Sequence, residues 1–418
     1  MGSAELPDTS AGSDRRGPSD SLAPLGELID IRVLSSLASV DAAEWDTLTG
    51  DDDPFVEHAF LSLLEQSGSV GRGSGWEPTH ITAWRGKRLI GALPIYLKTH
   101  SYGEYIFDWG WADAAARLGV RYYPKLVSMV PVTPVTGRRI LYAPDEDPMP
   151  IVRRLIDGCL DLADSAGMSS IHLLFLNCEE QGWVARDGRL VSRLSFQFHW
   201  RNESYESFDE FVDGFRSSMR KKLKKERRIA AEGDAKIEVL KGADLSNDDW
   251  RTLERLYRGT CGRKGSHPYL TPEFFEMAPS VLGESPLVAA AKREGQIVAA
   301  SINFEKGANL YGRYWGAVRR HDMLHFELCY YRLIDHAIRH GMQRFEAGAQ
   351  GTHKLRRGLM PVPIYSAHWI RHPVLAQAVA DFLPREAASV REQIEHLGRH
   401  GPFRRHDGRD TVHQRASG

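Results

Sequence analysis

The stretch Arg85-Gly-Lys-Arg-Leu-Ile-Gly-Ala-Leu-Pro-Ile-Tyr-Leu-Lys98 has a counterpart about 208 residues later, Arg293-Glu-Gly-Gln-Ile-Val-Ala-Ala-Ser-Ile-Asn-Phe-Glu-Lys306. Each copy is a polar turn followed by an alternation of apolar and polar residues, which predicts a hairpin and a half-buried strand. Because this spacing is close to half of the 418 residues, we predict that the chain contains one α/β unit twice. The cleft between the two copies is the first place to look for a site.

Other landmarks recur in the same order around both copies. Trp45-Asp-Thr-Leu48 corresponds to Trp250-Arg-Thr-Leu253, and Tyr102-Gly-Glu-Tyr105 corresponds to Tyr311-Gly-Arg-Tyr314. In each unit the patterns predict helices, an antiparallel meander, a helix and a strand. This is the element order of the GNAT-type acyltransferases, in which two central strands separate and the acyl donor enters the gap. We therefore predict an α/β fold of two tandem GNAT-like domains with mixed, mainly antiparallel sheets.

The composition divides the chain into four parts: a disordered leader at 1–26, an N-terminal domain at 27–200, a C-terminal domain at 201–400 and a flexible tail at 401–418. The first residues lack the apolar core of a signal peptide, and the four cysteines form no CxxC pair, so we expect a cytoplasmic protein. No apolar run approaches the roughly 20 residues that a bilayer span requires. The net charge of −1 means that any recognition of anions must come from a local patch.

Several motifs together resemble the FemAB-like family of predicted N-acyltransferases, which carry tandem GNAT-like domains. The resemblance covers roughly residues 30–405. The stretches that carry it are 54–55, 58–61, 67–70, 98–113, 122–126, 198–200, 345–354 and 366–369. The chain departs from the family at Thr352, where a glutamate is usual, so a catalytic role for that carboxylate is not carried over.

The resemblance implies transfer of an acyl or aminoacyl group from an activated carrier to a small-molecule amine, by direct attack and without a covalent enzyme intermediate. We favour acyl-CoA as the donor, although the loop before His325 lacks the Gln/Arg-x-x-Gly-x-Gly/Ala sequence of acetyl-CoA-binding members. Two alternatives stay open. One is a Fem-type transferase that uses aminoacyl-tRNA on a cell-wall precursor, with tRNA as a partner, and the other is a non-catalytic ligand-recognition module. We expect no tightly bound cofactor, and the sequence leaves the oligomeric state open.

A polar, glycine-containing loop after the last predicted strand of the second unit is the main candidate for catalysis. An amine must lose a proton before it attacks, so a base tuned near neutral pH is required, and Glu346 or His353 offers one. Tyr314, on the strand that should border the donor gap, is assigned to the leaving group. The predicted catalytic residues are thus Glu346, His353 and Tyr314. A structural ion pair is the alternative role for Glu346.

Donor binding is predicted at the start of a helix at 326–340, because free amides and the positive end of the dipole favour anions there. The residues assigned to it are His325, Phe326, Glu327, Lys354 and Arg313. A plain helix cap is the alternative role for His325 and Glu327. The nearby His321-Asp-Met-Leu-His325 resembles HExxH, but Asp replaces the glutamate that would act as base, so we predict no metal site.

Acceptor binding is predicted at 108–113, which places two acids and two indoles at the end of a strand at 104–111. Tryptophan faces and carboxylates suit a cationic or amine-bearing ligand, and a core tryptophan pair is the alternative. The basic run at 216–228 holds eight basic residues and one acid, which predicts either an anion site for CoA phosphate, a phosphorylated acceptor or tRNA, or a solvated helix face. The residues assigned to the acceptor are Asp108, Trp109, Trp111, Asp113, Gln350 and Lys222.

Overall fold

The computed structural model describes residues 28–319, 321, 323–349 and 351–404. The predicted leader, residues 405–418 of the predicted tail and Gln350 lie outside the described residues. The described helices are α1 Ala42–Asp46, α2 His58–Gln66, α3 Trp109–Arg117, α4 Pro148–Ser165, α5 Cys178–Asp187, α6 Phe208–Asp213, α7 Ser217–Ala231, α8 Asn247–Arg263, α9 Pro272–Leu282, α10 Leu324–Phe326, α11 Arg332–Arg339 and α12 Pro373–Arg399. A π-helical turn, Glu327–Tyr331, joins α10 to α11, and a 3-10 helix spans Thr352–Arg357.

The described strands form two sheets. They are β1 Ile29–Leu34, β2 Glu77–Pro78, β3 His80–Arg85, β4 Arg88–Leu93, β5 Tyr96–Lys98, β6 Lys125–Ser128, β7 Leu141–Tyr142, β8 Ser170–Leu176, β9 Val191–Arg201, β10 Lys236–Lys241, β11 Pro286–Arg293, β12 Gln296–Lys306, β13 Asn309–Ala317, β14 Arg344–Glu346 and β15 Met360–Ile370. The smaller sheet has the order β1-β3-β4-β7, and the larger has the order β10-β11-β12-β13-β14-β9-β15-β8-β6-β5-β2. The strand pairs β6/β8 and β13/β14 are parallel, and the other strand pairs of the described chain are antiparallel. The predicted α/β fold with mixed, mainly antiparallel sheets is confirmed.

The repeated stretch adopts the predicted hairpin in both halves, as β3–β4 and as β11–β12. In each half a helix then connects two parallel strands, since α4 lies between β6 and β8 and α10–α11 lies between β13 and β14. The two copies differ after the hairpin. Pro94 interrupts the first copy, so β4 belongs to the smaller sheet and β5 to the larger one, whereas β12 continues without a break.

One sheet runs through both halves because two strands cross between them. Strand β9 comes from the first half and pairs with β14 of the second, while β15 comes from the second half and pairs with β8 of the first. The two crossing strands also pair with each other along Met360–His368. Each half therefore completes the sheet of the other, and the division at residue 200 stays a prediction.

The segment 104–111 was predicted to be a strand, and this prediction is wrong. Its backbone turns instead, because Tyr105 has φ of 61° and the carbonyl of Asp108 accepts from the amides of Trp111 and Ala112 as α3 begins. Tyr102–Tyr105, the counterpart of Tyr311–Tyr314 in the sequence, is therefore not a strand, whereas Tyr311–Tyr314 belongs to β13.

The basic run at 216–228 lies at the start of and within α7, which is separated from α6 by a break at 214–216. Residues 401–404, which the sequence assigned to a flexible tail, pair with this break. The amide of Arg216 donates to Pro402, and the Phe403 ring packs edge-on against Phe215 at 4.9 Å. No helix of the described residues has the length and apolar character that crossing a membrane requires.

Candidate active site

The opening that positions the site lies between β13 and β14. These strands pair for only three residues, ending at Tyr311 and Glu346. Beyond that point β13 continues to Ala317, while the chain after Glu346 leaves the sheet toward the 3-10 helix Thr352–Arg357. Two parallel central strands therefore part, as the sequence predicted.

Strand alternation separates the predicted catalytic residues onto two faces of this sheet. Phe345 packs in the core formed with α6, α7, α10 and α11, and Trp315 of β13 borders the same core. Tyr314 borders the opposite core, which includes α8, α9 and the first unit. Glu346 follows Phe345 and points to that opposite side, where its Oε2 accepts from the amide of Thr136 at 3.1 Å.

Glu346 is enclosed between the two units and is only 1% exposed. Arg344 lies 3.4 Å from its Oε1, and the His199 ring lies 3.8 Å from its Oε2. Burial raises the pKa of Glu346 to about 7, although the charge of Arg344 and the Thr136 amide oppose this shift. As placed here, Glu346 joins the two halves and has no open path to an amine acceptor.

His353 lies on the other face and is exposed. Its Nε2 is 2.9 Å from the hydroxyl of Tyr330, a residue of the π turn, and such turns are frequent at functional sites. The rings of His325 and Phe326 lie 6.3 and 6.1 Å away. Partial burial, followed by the positive charges of Arg357 and Lys354, lowers the pKa of His353, so the imidazole is neutral and able to accept a proton at neutral pH.

Gly351 makes the position of the His353 ring sterically accessible. Its φ of 116° lies in a region that side chains other than glycine rarely adopt. A Cβ at this position would lie 2.4 Å from Cε1 of His353. This glycine of the predicted loop is thus required by the histidine that follows it.

Lys354 is buried beside the parting strands. Its Nζ donates to the carbonyl of Gly348 at 2.6 Å, just after β14 ends. Burial, followed by the charge of Arg313, lowers its pKa to about 7. A negative charge that develops near the fork would therefore stabilise the protonated form of Lys354.

Of the residues assigned to the donor, Glu327 does not face a ligand, which corrects that assignment. It is buried, and its carboxylate pairs with Arg227 at 3.1 Å and Arg332 at 3.0 Å. The helix also starts at Leu324, earlier than predicted. His325 stays near its first turn and packs edge-on against Trp315 at 5.1 Å, while the Arg357 guanidinium lies 3.3 Å above the Phe326 ring.

Positive charge surrounds His325. Burial, followed by the charges of His353, Arg357, Lys264 and Lys354, lowers the pKa of His325 to about 4. These positive side chains form a local basic patch, although the net charge of the whole chain is close to zero.

Arg313 and Tyr314 lie on the face away from His353. Arg313 Nη2 donates to the carbonyl of Val132 in the first unit at 2.9 Å. The Tyr314 ring packs edge-on against Tyr257 of α8 at 5.2 Å. The structure therefore does not bring Tyr314 together with His353, and the catalytic role of Tyr314 stays a prediction.

Asp108 belongs to a buried ion network, contrary to the prediction that it holds the acceptor at a strand end. It accepts from Lys125 and from the Tyr122 hydroxyl, and Lys125 also donates to Glu104 at 2.8 Å. Burial alone would raise its pKa, but the Lys125 ammonium holds the pKa of Asp108 well below its usual range. The negative charge of Asp108 is thus already balanced by the Lys125 ammonium.

The other acceptor residues are dispersed. Trp111 is buried, with its ring 4.8 Å from that of His368, whereas Trp109 is 38% exposed and stacks on Phe107. Asp113 is exposed on α3 and Lys222 is exposed on α7. Gln350 lies outside the described residues.

Sequence reasoning missed Tyr330, Arg357 and Glu226 as members of the His353 cluster. Arg357 donates to the His353 carbonyl at 2.9 Å and to Glu226 at 2.9 Å. The signal for Glu226 was present, because it is the single acid of the basic run at 216–228. A lone acid in such a run marks a position whose charge has a local partner.

Comparisons with known proteins agree with this architecture. FemX superposes with a TM-score of 0.51 at 10% identity, covering 82% of this chain and 98% of FemX. The C-terminal domain of a putative lysylphosphatidylglycerol synthetase from Agrobacterium fabrum gives 0.52 at 11% identity, covering 83% and 96%. A tandem GNAT protein from the clavulanic acid biosynthesis pathway gives 0.40 at 9% identity, covering 83% and 99%. A search of curated proteins gives no match.

At these identities the likeness to FemX and to the synthetase domain concerns the fold alone. The family model of the FemAB-like proteins, described as peptidoglycan biosynthesis/recognition, matches residues 36–405. Since this match spans most of the 418 residues, the chain belongs to the FemAB-like family.

Proposed function

We propose that the protein is an N-acyltransferase that moves an acyl or aminoacyl group from an activated carrier to an amine by direct attack. The observation that carries this proposal is the parting of β13 and β14 after Tyr311 and Glu346, with Lys354 bonded to the loop at the fork. Membership of the FemAB-like family supports the same class of reaction.

His353 takes the proton of the attacking amine in this proposal. It is exposed, its pKa is lowered by burial and by Arg357, and its Nε2 is fixed by Tyr330. The amine nitrogen forms a bond to the carbonyl carbon, and the carbonyl electron pair moves to oxygen. The Lys354 ammonium stabilises that oxyanion. The oxygen electron pair then re-forms the carbonyl as the carbon–carrier bond breaks, and the electron pair of that bond leaves on the carrier.

The donor that we favour is an acyl-CoA thioester. Its phosphates would lie near the first turn of the helix that starts at Leu324, where Lys264, Lys354 and Arg357 create a positive field. The test is thiol release from a panel of acyl-CoA thioesters with free amines as acceptors. His353→Gln should lower the rate roughly 100-fold, the usual scale for loss of general-base catalysis. Thiol release that is undiminished in this variant would remove His353 from the mechanism.

Aminoacyl-tRNA is a second candidate donor, and the exposed basic face of α7 favours it. That face consists of Lys221, Lys222, Lys224 and Lys225. Binding of tRNA through these lysines should weaken steeply as salt rises, because each neutralised phosphate releases counterions. No retention of tRNA at low salt, together with thiol release from an acyl-CoA, would decide for the thioester. Ligand binding with neither reaction would decide for a recognition module.

A further inference from the structure

We infer that Glu226, a buried residue of the basic helix α7, positions His353 by holding Arg357. This inference rests on the proposed role of His353 as the base. It adds a positioning residue that lies on a different element from the candidate site and does not itself contact the imidazole.

The connection consists of two hydrogen bonds made by one guanidinium. Arg357 Nη1 donates to the backbone carbonyl of His353, four residues earlier in the same 3-10 helix, at 2.9 Å. Its Nη2 donates to Oε2 of Glu226 at 2.9 Å. Because both bonds use the same rigid fork, the turn that carries His353 and Lys354 is fixed to α7.

A second bond to Glu226 comes from the π turn. The hydroxyl of Tyr331 donates to the same carboxylate, while its neighbour Tyr330 bonds the His353 ring. Two consecutive residues of one turn thus reach the two ends of this network. Glu226 is 6% exposed, so its charge is balanced inside the protein and not by solvent.

Arg227 provides an internal control. It joins α7 to the π turn, as Glu226 does through Tyr331, but it makes no contact with Arg357 or His353. It pairs with Glu327, which also pairs with Arg332 of α11. Loss of Arg227 should therefore weaken the packing of α7 against the helical segment 324–339 to a similar degree. It should leave the turn at 352–357 in place.

The groups that face His353 determine the sign of the expected titration shifts. They are Tyr330 and His325 from the helical segment, and Lys354 and Arg357 from its own element. The positive charge of Arg357 lowers the pKa of His353. Removing the opposing carboxylate of Glu226 leaves that charge uncompensated, so the pKa of His353 should fall further in Glu226→Gln. Removing the guanidinium in Arg357→Gln should raise it.

The test is an NMR titration of the full chain carrying ¹³C-labelled histidine, with the His353 signal assigned by its loss in His353→Gln. We expect opposite shifts in Glu226→Gln and Arg357→Gln, and the wild-type pKa in Arg227→Gln. In the thiol-release assay, Glu226→Gln should lower kcat roughly tenfold with little change in KM, since small displacements of a catalytic group are costly.

The inference is overturned if Glu226→Gln moves the pKa of His353 no more than Arg227→Gln does. Because the titration needs no substrate, it judges the positioning role even if the wild-type protein releases no thiol. Should Glu226→Gln not fold, Glu226→Asp retains the charge and shortens its reach by one methylene. This variant should detach Arg357 and shift the His353 signal, and an unchanged signal would refute the inference in the same way.

Discussion

Replacing Glu346 by Gln should stabilise the protein at alkaline pH. The amide keeps the shape of the carboxyl and can still accept from the Thr136 amide, 3.1 Å away in the present structure. It removes a charge that is 1% exposed and that Arg344 balances only from 3.4 Å. The usual expectation, that breaking a buried ion pair destabilises, is therefore reversed here.

The magnitude follows from the pKa. Burial raises the pKa of Glu346 from 4.5 to about 7, so the folded protein binds more protons than the unfolded chain between these values. The stability from this group is complete below pH 4.5 and is lost as pH rises through about 7. At about 1.4 kcal/mol per pH unit, the difference amounts to roughly 3 kcal/mol at pH 8.

Denaturant unfolding of both proteins between pH 5 and pH 8 measures this difference. The advantage of Glu346→Gln should grow with pH and be nearly absent at pH 5. Glu65→Gln is a control of opposite sign: burial alone would raise the pKa of Glu65, but its hydrogen bond with His80 lowers it overall. That variant should be less stable than wild type by an amount that stays nearly constant between pH 5 and pH 8, because the lowered pKa confines the titration of Glu65 to more acidic pH. A Glu346→Gln protein that is no more stable than wild type at pH 8 would refute the reasoning.

Three further results are expected. Tyr330→Phe should lower thiol release several-fold by freeing the His353 ring, and His353→Gln should lower it more. Equal rates in these two variants and the wild type would contradict a role for the Tyr330–His353 hydrogen bond. Gly351→Ala should cost about 1–3 kcal/mol of stability and displace His353, because the backbone φ is 116°, and an unchanged melting temperature and rate would count against it. Reversing Lys222 and Lys225 to Glu should weaken tRNA retention on a filter and flatten its salt dependence, and unaltered retention would exclude this face of α7.

Elements with local signals were predictable from the sequence. The Asp41 side chain accepts from the Glu44 amide at α1, and Thr271 with Pro272 starts α9, and both are capping patterns that can be recognised within four residues of sequence. Even at α1, the sequence did not indicate the contact that Glu44 makes outside the helix. The Glu44 carboxylate does not complete a capping box but accepts from the amide of Leu89, 45 residues away.

Strands that depend on distant partners were missed. The prolines at 361 and 363 argue against a central strand, yet β15 lies between β8 and β9 in the larger sheet. Nothing within residues 360–370 shows that their neighbours lie near residues 170–176 and 191–199. The helix α3 was missed for a related reason, since the Asp108 carboxylate that precedes it is held by Lys125 from another strand.

By itself, the sequence determined the duplicated hairpin and the loop that carries His353, because spacing and turn chemistry act within a few residues. The family and the parting strands were predicted from the resemblance that its longer motifs carry. Only the tertiary structure decided which face each side chain occupies. It enclosed Glu346 against Thr136, moved Tyr314 away from His353, and set Glu226 behind Arg357. These contacts join elements that are distant in the sequence, and short-range patterns do not encode them.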